Sequence, residues 1–393
     1  MNRKYVELDE STLHESETNF RHLLDEALPH AYEERLTSIS EYAPAELSDE
    51  EAIDSAVEKK KASKLIIDDE PGFPILPEDT NSFERAKNAI NKEATIEQKK
   101  LRDMSTIMEA ILLEQMYQNN WLTANSNYEL CPTHVCDDVL RATDLYLEYS
   151  DDEGSSQGLG IDITFARREK LYIKLQKTMQ QVRSGKLSEL KYIPRENEDG
   201  DFERTAVNKI PRIILTCDRP KLTELIALWT KTKRPTEMFE SKKEEKEKMY
   251  ELENELKSKG IPYNEIQKRL KELKSKYTEE KHEAKEKLRL HEVQLQLLYE
   301  AQIQLEAFIK IANHKEHYDI IEILQSRLDK INGAIVQKIK DMPKFAKLSV
   351  DHFYRTDETF KNMVDILNLE IASLSKKKSL LYLTQALLFF LEK

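Results

Sequence analysis

Residues 142–149, ATDLYLEY, and residues 159–166, LGIDITFA, are two apolar runs rich in aromatic and β-branched side chains, separated by the small and acidic stretch 150–158, SDDEGSSQG. Alternation with a period of two, bounded by turn residues, predicts two strands joined as a hairpin. Each strand carries one aspartate, Asp144 and Asp162. Aspartate is depleted in strands, and a buried one needs a partner. These two are therefore the first candidates for chemistry.

Before the hairpin, residues 81–120 read as helix, with Ile107, Met108, Ile111, Leu112 and Met116 spaced by threes and fours. After it the helical period returns in Leu171, Ile173, Leu175, Met179 and Val182, and Ser184-Gly185 is a stop signal. A polar segment, 196–201, follows. Residues 211–217, PRIILTC, then form a short continuous apolar strand expected to be buried, and Leu222, Leu225, Ile226 and Trp229 mark one more helix. The order helix, strand, strand, helix, strand, helix predicts an α/β domain over residues 85–235.

The flanks differ in composition. Residues 1–84 carry 22 acidic and 8 basic side chains, so this segment holds −14 of a net charge of −12 and the rest of the chain is weakly positive. The segment reads as an acidic, largely disordered tail with a partner-docking amphipathic helix at Phe20, Leu23, Leu24 and Leu28, and with 45–79 as linker. Residues 236–393 read as a helical hairpin or coiled coil followed by a helical bundle. Leu252, Leu256, Ile266, Leu270 and Leu273 form its seam, Gly260-Ile261-Pro262 breaks it, and helices follow at 320–340 and 362–391.

Hydrophobic residues make up 39% and charged residues 34% of the chain, with only 8 glycines, which suits long solvated helices and one modest core rather than a large β-rich enzyme. Three cysteines, Cys131, Cys136 and Cys217, make no disulfide framework. Residues 1–10 are already charged, unlike a signal peptide, and the longest apolar run, 380–391, is too short to span a bilayer. The expectation is a soluble chain in the reducing cytoplasm. No glycine-rich phosphate loop, nucleophile elbow or kinase signature is present. Cys131, His134 and Cys136 lie close together in a spacing foreign to structural zinc sites, and His314 and His317 lack a metalloprotease pattern.

The helix, hairpin, helix and strand of residues 100–235 resemble the core of the PD-(D/E)XK nuclease superfamily. That resemblance implies a small mixed sheet flanked by helices, with Asp144 and Asp162 as ligands of a divalent cation, magnesium, whose bound water attacks a phosphodiester. It implies a helix-borne acid, for which Glu109 and Glu114 are available. The family's lysine, two residues after the second acid, is Thr164 here. Its role of orienting water and stabilising charge on the phosphate would pass to the following helix, where Lys174 is preferred over Lys170 and Lys177.

Charge points to the same class of partner. Residues 164–195 hold nine basic side chains against Glu169 and Glu189. Arg167, Arg168, Lys170, Lys177 and Arg183 form a candidate nucleic-acid face, with salt-dependent binding expected. The other reading open at this point is a catalytically inactive α/β module, its aspartates structural, joined to a coiled-coil scaffold for self-association or a protein partner.

Overall fold

The computed structural model describes residues 10–40, 50–62, 73–92, 95–125, 127–150, 156–165, 168–197, 202–233, 254 and 262–391. The chain divides into two units, one of residues 1–30 and 222–291, the other of 31–221 and 292–393. The architecture is mixed α/β and predominantly helical.

The larger unit contains the sheet. Two helices precede it in the segment read as a tail: α1 (Glu10–Ser40), from Ala31 onward, and α2 (Glu50–Ala62). Leu36 and Val57 are buried against each other, with Tyr32, Ile39 and Ile53 around them, so apolar residues at helical spacing find a partner helix within the acidic segment itself. The third helix, α3 (Pro77–Lys92), buries Phe83 and Asp79.

The central helix is α4 (Ile96–Asn119). Thr95 and Gln98 close a reciprocal capping box at its start, and Asn120, at φ 51°, ends it in the left-handed conformation. Its residues from Met104 to Met116 are buried on all sides. Ile107, Ile111, Leu112 and Leu113 are each fully buried, which contributes roughly 1.5–3 kcal/mol apiece as an upper estimate. A helix enclosed all round can carry a polar residue only with partners, which makes Glu109 and Glu114 informative.

The chain then enters β1 (Tyr128–Pro132), a short helix α5 (Val135–Arg141), and the expected hairpin, β2 (Leu145–Ser150) with β3 (Ser156–Thr164). Strand β2 lies antiparallel between β1 and β3, pairing Leu145 with Ile161. Helix α6 (Arg168–Arg183) ends at Gly185, whose φ of 68° and N–H bond to Val182 O make it the predicted stop. A second hairpin follows, β4 (Ser188–Glu196) with β5 (Phe202–Ile210), where only a polar segment was expected. Its Leu190, Ile193 and Ile210 pack on Cys131 and Tyr146. The last strand, β6 (Arg212–Thr216), is wholly buried and pairs in parallel with β3, Asp162 opposite Ile214.

Helix α7 (Arg219–Lys233) leads out of the sheet. Within the smaller unit it buries Leu225, Ile226 and Trp229, and His30 meets Trp229 edge-on at 6.4 Å. Helix α8 (Tyr263–Arg289) belongs to the same unit. The side chains of the expected coiled-coil seam, Leu252, Leu256, Ile266, Leu270 and Leu273, lie outside the described residues.

Back in the larger unit come α9 (Val293–His314), α10 (Tyr318–Asp341), the short α11 (Val350–Thr356) and α12 (Glu358–Leu391), separated around Pro343 as the sequence suggested. Helix α9 closes the sheet. An open β6 edge would leave buried backbone groups unsatisfied. Instead Gln304 takes the place of a strand residue: Ile214 N–H donates to its Oε1 at 2.9 Å, and its Nε2 donates to Ile214 O at 2.7 Å. Thr216 N–H and Oγ1–H donate to the two oxygens of Glu300 at 2.7 and 2.9 Å. Burial pushes the Glu300 carboxyl up to about 8, against the hydrogen bonds it accepts from Thr216. Among the described residues no helix is long and apolar enough to cross a membrane.

Candidate functional site

Strand β2 stops short of β3 at the end where β3 reaches Thr164, so Ile163 has no β2 residue opposite it. Asp144, one residue ahead of β2, fills the gap. Its backbone N–H donates to Ile161 O at 2.8 Å, and its Oδ2 accepts from Ile163 N at 2.6 Å. The Asp144 carboxylate is thereby fixed beside Asp162, both of them buried. Helix α4 crosses the same end, with Ser105 Oγ donating to Ile163 O at 3.4 Å.

Four acids border this region, with Glu109, Asp144 and Asp162 buried and Asp138 half-buried. Glu109 comes from α4, Asp138 from α5, Asp144 from the turn before β2 and Asp162 from β3. Three cations answer them. Arg35 Nη1 lies 2.7 Å from Glu109 Oε2 and also donates through Nη2 to Thr133 O at 3.1 Å. Arg102 lies 2.6 Å from Asp138 Oδ2 and 3.9 Å from Asp144 Oδ1. Lys174 Nζ, projecting from α6, lies 2.6 Å from Asp162 Oδ1. The other oxygen, Asp162 Oδ2, is buried without a hydrogen-bond partner.

The environment pushes Asp144 and Asp138 in opposite directions. Burial first, then the charges of Glu109, Asp138 and Asp162, push the Asp144 carboxyl well above the usual carboxylate range, and Arg102 only partly offsets this. Asp138 goes the other way: burial opposes its charge, but Arg102 and a hydrogen bond from Asp144 hold it below its ordinary value. The two carboxyls titrate as a pair, with Asp144 the one that burial and its acidic neighbours push up and Asp138 the one that Arg102 holds down. Lys174 is raised despite burial by Asp162 and Asp144, and Arg102 is raised despite burial by Asp138, Glu109 and Asp144.

The candidates named from sequence are not all in one place. Glu109, Asp144, Asp162 and Lys174 belong to this cluster of like and opposite charges. Glu114 is five residues further along α4, about 140° around the helix, and its Oε1 accepts from Gln118 at 2.8 Å. Of the basic face, Arg168, Lys170 and Lys177 are exposed, Arg183 is paired with Glu370, and Arg167 lies outside the described residues. Sequence reasoning missed Arg35, Arg102 and Asp138. Arg102 had a signal, since it precedes Glu109 by seven residues and so shares its helix face. Arg35, 74 residues from Glu109 in the chain, had none.

The cysteine and histidine groupings are structural. His134 caps α5, its Nδ1 accepting from Cys136 N at 3.1 Å, and it stacks on Tyr192 at 4.6 Å. Cys131, Cys136 and Cys217 are free and buried. His317 bonds Arg183 O through Nε2 at 2.9 Å.

Magnesium prefers hard oxygen ligands. Asp162 Oδ2, a buried oxygen without a hydrogen-bond partner, matches that donor type, and Asp144 stands next to it. In the arrangement as it stands, however, Lys174 and Arg102 supply the positive charge, and among the described residues no three acidic, histidine or cysteine groups converge as a metal site. The donor type at Asp144 and Asp162 thus fits the ion, while no third such side chain joins them among the described residues. No protein-family model matches the chain, and neither a curated protein nor a solved structure does.

Proposed function

We propose that this chain is a divalent-cation-dependent phosphodiester hydrolase of the PD-(D/E)XK type acting on nucleic acid. The observation that carries the reading is the 2.6 Å approach of Lys174 Nζ from α6 to Asp162 on β3. Thr164 leaves the strand without its lysine, and an ammonium delivered from the next helix to the same carboxylate serves the same chemistry. Two features support it. The meander β1-β2-β3 extended in parallel by β6, with α4 and α6 on either side in sequence, suits the fold that the resemblance implies. Asp144 and Asp162 are set at adjacent strand ends, and the repulsion that raises Asp144 is of the kind a cation relieves.

Asp144 and Asp162 would hold magnesium, which when bound supplies an activated water and neutralises charge on the phosphate. Lys174 would orient that water and stabilise the developing charge. Glu109, held by Arg35, would position the ion's surroundings. Three free cysteines suit a reducing cytoplasm. The test is cleavage of labelled DNA and RNA by the full chain with magnesium or manganese. Asp162→Asn and Lys174→Gln should each reduce the rate at least a hundredfold, and cleavage that persists in Asp162→Asn refutes the assignment.

A second reading is favoured by the Arg35–Glu109 and Arg102–Asp138 pairs, which already neutralise two of the four acids. In it the α/β unit is an inactive module and the long helices, as a coiled coil, mediate self-association or protein binding. Absence of cleavage with every divalent cation, together with a concentration-dependent mass in light scattering, would select it.

A further inference from the structure

Beside the carboxylate cluster runs a groove of about 930 Å³ between the end of α5, the outer side of α6 and the start of β4, a size in the range of ligand sites. Arg212 lines it and is 6% exposed. Its guanidinium meets only neutral acceptors: Arg141 O at 2.7 Å, Ala142 O at 3.4 Å and Thr178 Oγ1 at 2.7 Å. Its Nε is buried without an acceptor, and burial lowers its pKa although Asp162 and Asp144 oppose this. A buried cation without a counter-charge at contact distance is costly to keep, and an anion in the groove would supply one.

The rest of the lining is specific about the anion's carrier. Lys177 adds a second, exposed cation, whereas the neighbouring Arg141 is committed to Asp79 and Asp137 at 2.9 and 3.0 Å. Tyr172 and Ile173 stand 49% and 52% exposed on the rim. An open aromatic and two cations in one groove, with the amides of Gln180 and Gln181 in the same lining and exposed Glu189 the acid among the groove residues, suit a base stacked near its phosphate. Position agrees. The groove residues Val139 to Ala142 lead directly to Asp144, and Arg212 is paired with Gly160 on the sheet face that also carries Asp162.

We infer that the Arg212–Lys177 groove binds a nucleotide unit, its phosphate on the two cations and its base on Tyr172. Its role as the substrate's flanking subsite rests on the hydrolase reading; the binding itself does not.

The test is fluorescence anisotropy of the full chain with a 5′-phosphorylated, 3′-labelled oligothymidylate in EDTA, with thymidine 5′-monophosphate as competitor. Lys177→Glu and Tyr172→Ala, both on exposed positions, should weaken binding at least tenfold. Lys340→Glu, a charge reversal at an exposed position of α10 that does not line the groove, should change it less than threefold. Competition by the mononucleotide identifies a free nucleotide as the phosphate source, and binding of the oligonucleotide alone identifies a strand; either supports the groove. Absence of binding by both ligands, an unchanged affinity in Lys177→Glu and Tyr172→Ala, or an equal loss in Lys340→Glu overturns it. Because EDTA abolishes any cation-dependent cleavage, binding that persists while Asp162→Asn leaves cleavage intact would refute the hydrolase assignment and spare the groove.

Discussion

Glu300 offers the most quantitative perturbation. Its carboxyl is fully buried between α9 and the edge of β6, accepts from Thr216, and is raised from 4.5 to about 8. In the unfolded chain the same group loses its proton near 4.5, so folding takes up a proton between the two values. The raised folded value means that Glu300's contribution is full below about pH 4.5 and is lost as pH rises through about 8. The slope is about 1.4 kcal/mol per pH unit, and the whole window amounts to about 5 kcal/mol as a ceiling. Glu300→Gln keeps the shape and an acceptor for Thr216 N–H, and removes the titration. Urea unfolding followed by far-UV circular dichroism, from about pH 5 to about pH 9, should show wild type losing stability relative to the variant by roughly 1 kcal/mol per unit, with the two curves parallel above about pH 8.5. Parallel curves throughout would refute the buried, proton-carrying clamp. The matter reaches the site, because β6 so held is the neighbour of β3 on which Asp162 stands.

Gln304→Ala strips both bonds from Ile214 and leaves its buried N–H and C=O without partners, a loss of about 2–4 kcal/mol in the same unfolding assay; a loss under about 0.5 kcal/mol would show that the amide does not serve as a strand. Arg35→Ala withdraws the guanidinium from Glu109 and should cost about 3–5 kcal/mol, read as a lowered denaturant midpoint. An unchanged midpoint would mean that α1 does not hold Glu109. Because burial and its acidic neighbours push the Asp144 carboxyl well above the usual carboxylate range, a cation bound there should compete with protons, so calorimetry in buffers of different ionisation enthalpy should show proton release and affinity rising with pH. Binding without proton release would contradict the protonation pattern.

The parts of the fold decided by local periodicity were legible. The β2–β3 hairpin follows from the alternation in ATDLYLEY and LGIDITFA, β6 from PRIIL, and the end of α6 from Gly185, whose positive φ favours glycine. The elements that went unread have patterns set by tertiary context. Strand β1 is five residues including Glu129 and a terminal proline, and β5 is mostly exposed and charged, so neither shows an apolar face of its own. In the acidic segment the helix read at Phe20, Leu23, Leu24 and Leu28 lies within α1, whereas the reach of α1 to Ser40 and the whole of α2 escaped notice because acidic composition concealed Leu36 and Val57, which need each other to be buried. At the site, Asp144, Asp162 and Lys174 stood out as charges within apolar runs or in the first half of a helix. Arg35 and Asp138 did not, because nothing in a chain separation of many residues signals a buried ion pair. The clamp by Gln304 and Glu300 was invisible for a related reason: polar residues on an apolar helix look like its solvent face until the strand edge they satisfy is known.

The central claim is that Asp144 and Asp162 are the ligands of a divalent cation. Crystals of the full chain soaked in manganese, with the ion located by its anomalous scattering, test it directly. The account predicts a single strong peak within about 2.0–2.6 Å of oxygens of both aspartates, with Arg102 withdrawn from Asp144, and no such peak in Asp162→Asn. A peak elsewhere, or none while Arg102 and Lys174 keep their present partners, would contradict it.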